Sequence, residues 1–250
     1  MKKMTCLLVT VLIGCASPQP EEPKISSVTE FEASEGVFIT NKDYLALIQL
    51  YKDQLSKPEN ADNIAMRIKL IDAYVHNGDI DSAHFYLQHI PNDTPKTFDL
   101  NYTRGLVFFN DNQMTKARDY LKAELADFPD NAKAYNLLGV AFAYDGDYLN
   151  ARESLNKTRV LHFNDMVVIN NLAMVDILEH RYQDASRKLL PIYHSGQADD
   201  RVKVNLIIAL AMQDKHPMFP VLVNDMLDSD QYPEVKQRIN QLIAPPEAEL

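Results

Sequence analysis

The segment 131–164, NAKAYNLLGVAFAYDGDYLNARESLNKTRVLHFN, decides the fold. Read at a helical period, it predicts two amphipathic helices joined by a short break at 145–147. Gly139 on the first helix and Ala151 on the second predict a close contact, because two helices approach closely only where both side chains are small. The buried side of the second helix is expected to carry Leu149, Ala151 and Leu155. A single hairpin of this kind leaves apolar surface uncovered, so it predicts neighbouring hairpins.

The same features recur at a spacing of 34 residues on both sides of this segment. Four columns share the spacing: Ala83, Ala117, Ala151 and Ala185; Gly105, Gly139 and Ala173; Tyr74, Phe108 and Phe142; Leu87, Leu121, Leu155 and Leu189. The loop prolines Pro95 and Pro129 are also 34 residues apart. Arg104 stands where the repeat one period later has Leu138, and Asp176 departs from the aromatic column. Because several columns agree at one period and no strand-period run competes, the sequence predicts an all-α solenoid.

This period and pattern resemble those of the tetratricopeptide repeat family. The resemblance implies a right-handed solenoid of tetratricopeptide helix hairpins, with four repeats over 61–197. A capping helix is expected over 41–60, begun by Asn41. The remaining segment, 198–250, is expected to hold a degenerate fifth repeat, a C-terminal capping helix from Pro233 to Ile243, and a tail. Pro217 and Pro220 are expected at a helix start in that fifth repeat.

The N-terminal segment has the features of a secreted lipoprotein. A basic start precedes a short apolar core at 7–13, which is too short to span a bilayer. The tetrapeptide 12–15, LIGC, resembles a bacterial lipobox. The resemblance implies removal of a signal peptide, residues 1–14, and lipidation of Cys15, which would anchor the chain to a membrane. An ordinary cleaved signal, or a small anchor helix with an incidental cysteine, is the alternative.

The residues after Cys15 predict the membrane in which the protein would be anchored. Ala16 and Ser17 are not the aspartate that favours inner-membrane retention in such lipoproteins. The lipoprotein resemblance therefore implies the outer membrane, on its periplasmic face. Residues 15–40, which begin with several prolines and glutamates, are predicted to form the lipidated cysteine and a flexible tether.

Composition argues against several classes of function. The formal net charge is −10 and no basic stripe is visible, which disfavours nucleic acid as a partner. Of the two cysteines, Cys6 would be removed with the leader and Cys15 would be lipidated, so no disulfide could form. The chain has no phosphate-binding, dinucleotide, nucleophile-elbow or zinc-protease motif, and its seven histidines are scattered. We therefore predict no catalytic residue, no metal, no cofactor and no small-molecule substrate.

The remaining candidate is a protein-binding surface. In the tetratricopeptide family, the first helix of each repeat lines a concave groove. Transferred by resemblance, the groove residues of this chain are Tyr102, Leu106, Phe109, Lys133, Asn136, Val140, Tyr144, Asn170, Met174 and Ile177. Asparagines flanked by aromatic rings suit an extended peptide or a partner helix, because the amides can bind its backbone. The alternative is that Phe109, Val140 and Ile177 pack between repeats.

Two pairs of segments resemble a particular subfamily of tetratricopeptide repeat proteins. The pairs are INNLAM at 169–174 with HRYQDA at 180–185, and RVKVNL at 201–206 with IALA at 208–211. They look like helix pairs of the TadD-type family of Flp pilus (tight adherence) assembly proteins. This implies an anchored scaffold, or pilotin-like protein, that assists assembly of the outer-membrane secretin of a Flp/Tad pilus secretion apparatus. A PilF/PilW-type pilotin of type IV pili is one alternative, and a periplasmic repeat lipoprotein serving envelope or cell-wall assembly is another.

Overall fold

The computed structural model describes residues 27–91, 94, 99–213 and 216–227. Within these residues the secondary structure is α-helical, with one 3-10 turn at Pro58–Asn60 and no strand. The helices are α1 Ser27–Asn41, α2 Tyr44–Leu55, α3 Ile64–His76, α4 Ile80–Gln88, α5 Leu100–Asn110, α6 Met114–Asp127, α7 Ala132–Tyr144, α8 Tyr148–Val160, α9 Asp165–Leu178, α10 Tyr182–His194, α11 Asp200–Ala211 and α12 Met218–Leu227.

Short polar residues begin many of these helices, and residues with positive φ turn the chain between them. The carboxylate of Asp79 accepts a hydrogen bond from the backbone N–H of Ser82 at 3.0 Å, which lowers the pKa of Asp79. Gly78, immediately before it, has a φ of 79°, a conformation that glycine adopts without strain. The same arrangement recurs in the turn at 145–147, where Gly146 has a φ of 77°. Local sequence therefore fixes where these hairpins turn.

The helices pair into successive hairpins that stack in two layers. The first helices α3, α5, α7, α9 and α11 contact one another in order and form an inner layer. Among the described residues, the second helices make no such contacts with one another, and each packs instead on the next first helix. Closer spacing in the inner layer curves the stack towards that side. The predicted all-α solenoid of hairpins is confirmed.

The predicted contact between small residues is present. Ala83, Ala117, Ala151 and Ala185 are all fully buried. A Cβ atom placed on Gly139 would lie 2.7 Å from Leu155 Cγ and 3.0 Å from the Ala151 carbonyl oxygen. Gly105 has the same surroundings one repeat earlier. Glycine is therefore needed at both positions because the neighbouring helix occupies the space of a side chain.

Two details of the sequence prediction are wrong. Leu149 was expected on the buried side of α8, but 79% of it is exposed. It precedes Ala151 by two residues, so the two side chains point about 200° apart around the helix. Asn41 was expected to cap a helix, but it is the last residue of α1. Asp43 is the cap of α2, and its side chain accepts from the Ala46 N–H at 3.1 Å.

The predicted flexible tether is wrong over 27–40, which belong to α1, Ser27–Asn41; residues 15–26 of that prediction lie outside the described residues. Phe31 and Phe38 pack against the hydrophobic core formed with α2 and α3. Between them, the Glu35 carboxylate accepts hydrogen bonds from the Tyr51 hydroxyl and the Lys69 ammonium, both at 2.8 Å. These contacts with later parts of the chain stabilise a helix whose own apolar stripe is weak. The predicted capping helix at 41–60 is thus the second helix of a hairpin with α1.

Several predictions lie outside the described residues. They are the leader 1–14, lipidation of Cys15, the loop residue Pro95, the C-terminal helix at 233–243 and the tail. In the part that is described, no helix is both long and apolar enough to cross a membrane. At the C-terminal end of that part, Pro217 directly precedes α12 and Pro220 is its third residue, as expected of prolines at a helix start.

Candidate binding groove

The inner layer presents an exposed row of apolar side chains at its edge. Tyr144, Leu178 and Met212 follow one another at the 34-residue spacing, at the C-terminal ends of α7, α9 and α11. Their exposed fractions are 61%, 37% and 52%. We call these three residues the terminal apolar row. One turn earlier on the same helices, the equivalent residues Val140, Met174 and Ile208 are half-buried. Together they give this side of the solenoid an apolar surface that solvent can reach.

Some of the predicted groove residues lie on this surface, and others pack against the core. Tyr144 is exposed, and its ring meets the edge of the Phe109 ring with centroids 5.8 Å apart. Phe109 is itself half-buried against the core of the preceding repeats. Met174 and Ile177 pack partly against the cores on either side of α9. For Phe109 and Ile177, packing between repeats therefore accounts for much of the side chain.

Leu106 and Asn170 were predicted to line the groove, and this is wrong because each residue is only 8% exposed. Leu106 belongs to the core. The side-chain oxygen of Asn170 accepts a hydrogen bond from the Asn205 amide at 2.9 Å. Asn136 is used in the same way, since its oxygen accepts from the Asn171 amide at 2.8 Å. These asparagines join α7 to α9 and α9 to α11, so their oxygens are not free for the backbone of a bound peptide.

A cavity of about 380 Å³ lies at the N-terminal end of the inner layer. It brings together two predicted groove residues, Tyr102 from α5 and Lys133 from α7. The other lining residues come from α1, α2, α3 and the start of α5: Glu35, Ile39, Tyr44, Leu47, Tyr51, Ile68, Lys69, Asp72, Ala73, His76, Asp99 and Thr103. We call this space the N-terminal cavity.

Carboxylates and aromatic rings face each other across the N-terminal cavity. Burial is the main cause that raises the pKa of Asp72, and the nearby charge of Asp99 adds to it. His76 opposes the shift, with its Nδ1 3.4 Å from Asp72 Oδ2. Burial also raises the pKa of the Tyr102 hydroxyl, and the charges of Asp72 and Asp99 raise it further. The cavity thus places negative charge beside an aromatic ring in a partly dehydrated space.

One buried carboxylate holds the wall of this cavity in place. Glu124 of α6 has no exposed surface. Its oxygens accept hydrogen bonds from the backbone N–H groups of Asp99 at 3.1 Å and Tyr102 at 3.3 Å. They also accept from the Asn131 amide, at 3.0 Å. Because Asp99 itself offers no side-chain cap, the Glu124 carboxylate caps α5 from the neighbouring helix.

A second repeating feature, which the sequence pattern did not predict, is a polar contact between each second helix and the end of the next first helix. His84 Nε2 lies 3.0 Å from Asp111 Oδ2. The equivalent partners one, two and three repeats later are Arg118 with Asp145, Arg152 with Glu179, and Ser186 with Gln213. Each pair spans 27 residues, and that spacing is the signal that could have revealed the feature. These pairs lock neighbouring hairpins together at one edge.

Asp176 forms ion pairs with three cationic side chains at these contacts between helices. It occupies the aromatic column and has no exposed surface. Its oxygens lie 2.8 Å from Arg152, 2.6 Å from Arg181 and 2.5 Å from Lys188. One buried carboxylate thus joins α8, the turn after α9, and α10. Three repeats place an aromatic ring at this position instead, and the Phe142 ring likewise has two cations above it, Arg118 at 5.6 Å and Lys122 at 5.4 Å.

Titratable side chains in the described part form no group of three or more His, Cys, Asp or Glu residues that could hold a metal ion. The polar groups with altered pKa values lie at helix caps, at contacts between helices or in the N-terminal cavity. The surface offers apolar, aromatic and charged groups, which are the kinds of contact used in protein recognition.

Comparison with solved structures identifies the fold. The chain superimposes on a tetratricopeptide repeat protein from Parabacteroides merdae with a TM-score of 0.61 and 14% sequence identity, over 85% of each chain. The fold is that of tetratricopeptide repeat proteins. MamA from Desulfovibrio magneticus RS-1, from residue 41 to its end, is also similar, with a TM-score of 0.50 and 17% identity over 69% of this chain and 96% of that one. No family model and no curated protein sequence matches the chain.

Proposed function

We propose that this protein is a non-enzymatic scaffold that binds protein partners through the inner face of its solenoid. The observation that carries the proposal is the terminal apolar row. Exposed apolar patches mark interaction sites, and tyrosine is among the residues that dominate binding energy at protein interfaces. The 34-residue spacing repeats this exposure on three successive hairpins, so a partner segment can contact all three at once.

The proposed cellular role combines this surface with the features of the N-terminal sequence. The lipobox-like segment ending at Cys15 supports a lipid anchor, and Ala16 and Ser17 favour the periplasmic face of the outer membrane. The TadD-like segments favour assembly of a Flp/Tad pilus apparatus, with its secretin as the partner. A PilF/PilW-type pilotin and a general periplasmic repeat lipoprotein remain the alternatives, and the identity of the captured partner separates them.

The first test removes the terminal apolar row. A triple variant, Tyr144→Ala, Leu178→Ala and Met212→Ala, is expected to fold normally because none of the three residues belongs to the buried core. Recovery of the secretin in a pull-down from crosslinked envelopes is expected to fall by about tenfold or more, since truncating a single hot-spot residue costs about 2 kcal/mol or more. Secretin multimers and surface pili are expected to fall with it.

A matched control is available on the outer layer. Phe85, Leu149 and Val160 lie on second helices and are at least as exposed, so their triple replacement by alanine removes a similar apolar area. This variant is expected to recover the secretin at the wild-type level. If the outer-layer variant lost recovery and the inner-layer variant kept it, the binding face would be the outer one. Recovery of a type IV pilus secretin instead would favour the pilotin alternative.

The second test concerns the anchor. Cys15→Ser is expected to abolish incorporation of a palmitate analogue during growth, because the acyl chains have no thiol or processed amine to join. The protein is then expected to remain an uncleaved precursor, or to leave the outer-membrane fraction. Cys6→Ser is the matched control, since Cys6 lies within the leader, and it should label normally. Label that persists in Cys15→Ser would disprove the lipoprotein proposal.

A further inference from the structure

The N-terminal cavity exists because α1 stands apart from α3. Among the described residues, the backbones of every later pair of neighbouring first helices approach closely, from α3 with α5 to α9 with α11, but those of α1 and α3 do not. The Glu35 side chain bridges this space to Lys69 of α3, and it also accepts a hydrogen bond from Tyr51 of α2. The solenoid therefore leaves a gap of about 380 Å³ at this point. That volume lies within the range of roughly 300–1,000 Å³ that is usual for ligand pockets.

The walls of the gap fit a side chain with an apolar stem and a polar end. Leu47 and Ile68 supply aliphatic surface, and the rings of Tyr44 and Tyr102 supply aromatic surface. In the described part of the chain, the Tyr102 hydroxyl has no hydrogen-bond partner, although its helix is held firmly by Glu124. Asp72 also lines the gap, and 46% of its side chain remains open to solvent.

The charges of the gap favour a cation. The Glu35 carboxylate is matched by the Lys69 ammonium at 2.8 Å. Within the described ranges, Asp72 and Asp99 have no lysine or arginine ion pair, although Asp99 Oδ1 accepts a hydrogen bond from the Asn131 amide at 3.2 Å. Lys133 is the one further formal cation among the lining residues, and His76 lies beside Asp72. With His76 neutral, the lining residues carry one excess negative charge. The whole chain carries −10, so its long-range field also attracts basic partners.

We propose that the N-terminal cavity receives an arginine or lysine side chain from the protein segment bound along the inner face. The proposal rests on that face being the binding face. The cationic head lies between the Asp72 and Asp99 carboxylates and beside the Tyr102 ring, where charge-assisted hydrogen bonds and a cation–π contact act together. The aliphatic stem lies against Leu47 and Ile68. The cavity thus selects basic partner segments and sets their position along the solenoid.

The test titrates the full chain with N-acetyl-arginine amide, and follows the amide NMR signals of Tyr102 and Thr103. Saturable shifts are expected. The neutral analogue N-acetyl-citrulline amide, which has the same shape, is expected to bind about tenfold more weakly, because it forms no charge-assisted hydrogen bonds. Asp72→Asn is expected to weaken the arginine compound by about the same factor. Asp119→Asn, on the exposed face of α6, makes the same chemical change and should leave binding unaltered.

Three outcomes would overturn the proposal. One is that the wild-type chain binds the arginine and citrulline compounds equally, or that neither compound gives saturable shifts. Another is unchanged arginine binding in an Asp72→Asn variant that retains the wild-type dispersion of signals. The third is preferential binding of N-acetyl-glutamate amide, which would assign the cavity to an acidic group held by Lys69 and Lys133. The variant lacking the terminal apolar row should still bind the arginine compound, so failure of the groove proposal would be recognised separately.

Discussion

Replacing Asp176 with asparagine is expected to lower the free energy of unfolding by about 3 kcal/mol, measured by urea denaturation. Removing one member of a buried ion pair costs about 3–5 kcal/mol. Arg152, Arg181 and Lys188 are partly exposed and can turn towards water, which places the effect at the lower end. Asparagine keeps the size of the side chain, but its amide group would face three donors. The loss therefore reports the charge, not the shape.

Asp119→Asn is the matched control for this change, since Asp119 lies on the exposed surface of α6. It is expected to alter the free energy of unfolding by less than about 0.5 kcal/mol. Equal, small effects of the two variants would mean that Glu179, which also contacts Arg152 and Arg181, already satisfies these cations. The buried cluster would then contribute nothing to holding α8 and α10 on α9.

Asp176 also shows how far a repeat pattern predicts structure. The 34-residue columns predicted which positions are buried, and Asp176 is as buried as that column requires. They could not predict how a carboxylate is tolerated there, because its partners lie 24, 5 and 12 residues away on three different elements. The repeat pattern describes the shared geometry. A departure from the pattern is understood only when the side chains around it are known.

The groove residues show that the repeat pattern also cannot predict which partners a surface side chain has. Periodicity placed Asn136 and Asn170 on equivalent turns of neighbouring helices, and they do lie on α7 and α9. Whether an asparagine faces a partner or the next helix depends on the residue opposite. Here Asn171 and Asn205 each follow 35 residues later, one more than the repeat, and they satisfy those oxygens. A search at spacings close to the period would have shown these pairs.

The N-terminal hairpin was missed for a different reason. Helix α1 has no counterpart in the repeat columns, and Glu35 and Gly36 interrupt its apolar stripe. Its stability comes from contacts made by Phe31, Glu35 and Phe38 with later helices. Sequence patterns within one segment carry no information on such contacts. The N-terminal cavity, which depends on the position of α1, was therefore beyond sequence analysis as well.

Gly139→Ala is the second variant with a large expected effect, a loss of about 1–3 kcal/mol in the free energy of unfolding. The added methyl group would lie 2.7 Å from Leu155 Cγ and 3.0 Å from the Ala151 carbonyl oxygen. Leu155 is fully buried and has little room to move, and the carbonyl belongs to the backbone of α8. The hairpin of α7 and α8 must therefore open slightly, which loosens the contact that repeats through the solenoid.

Gly36→Ala makes the same change where space is open, and it is expected to act in the opposite direction. Apart from the neighbouring backbone of α1 itself, no atom lies within 4 Å of the position of the new Cβ, and Gly36 is inside α1 with a helical backbone. Alanine favours a helix interior over glycine by about 1 kcal/mol, so this variant should be as stable as the wild type or more so. Thermal and urea denaturation of the two variants side by side separate helix propensity from packing. If Gly139→Ala were also neutral or stabilising, α7 and α8 would not be in the close contact on which the solenoid depends.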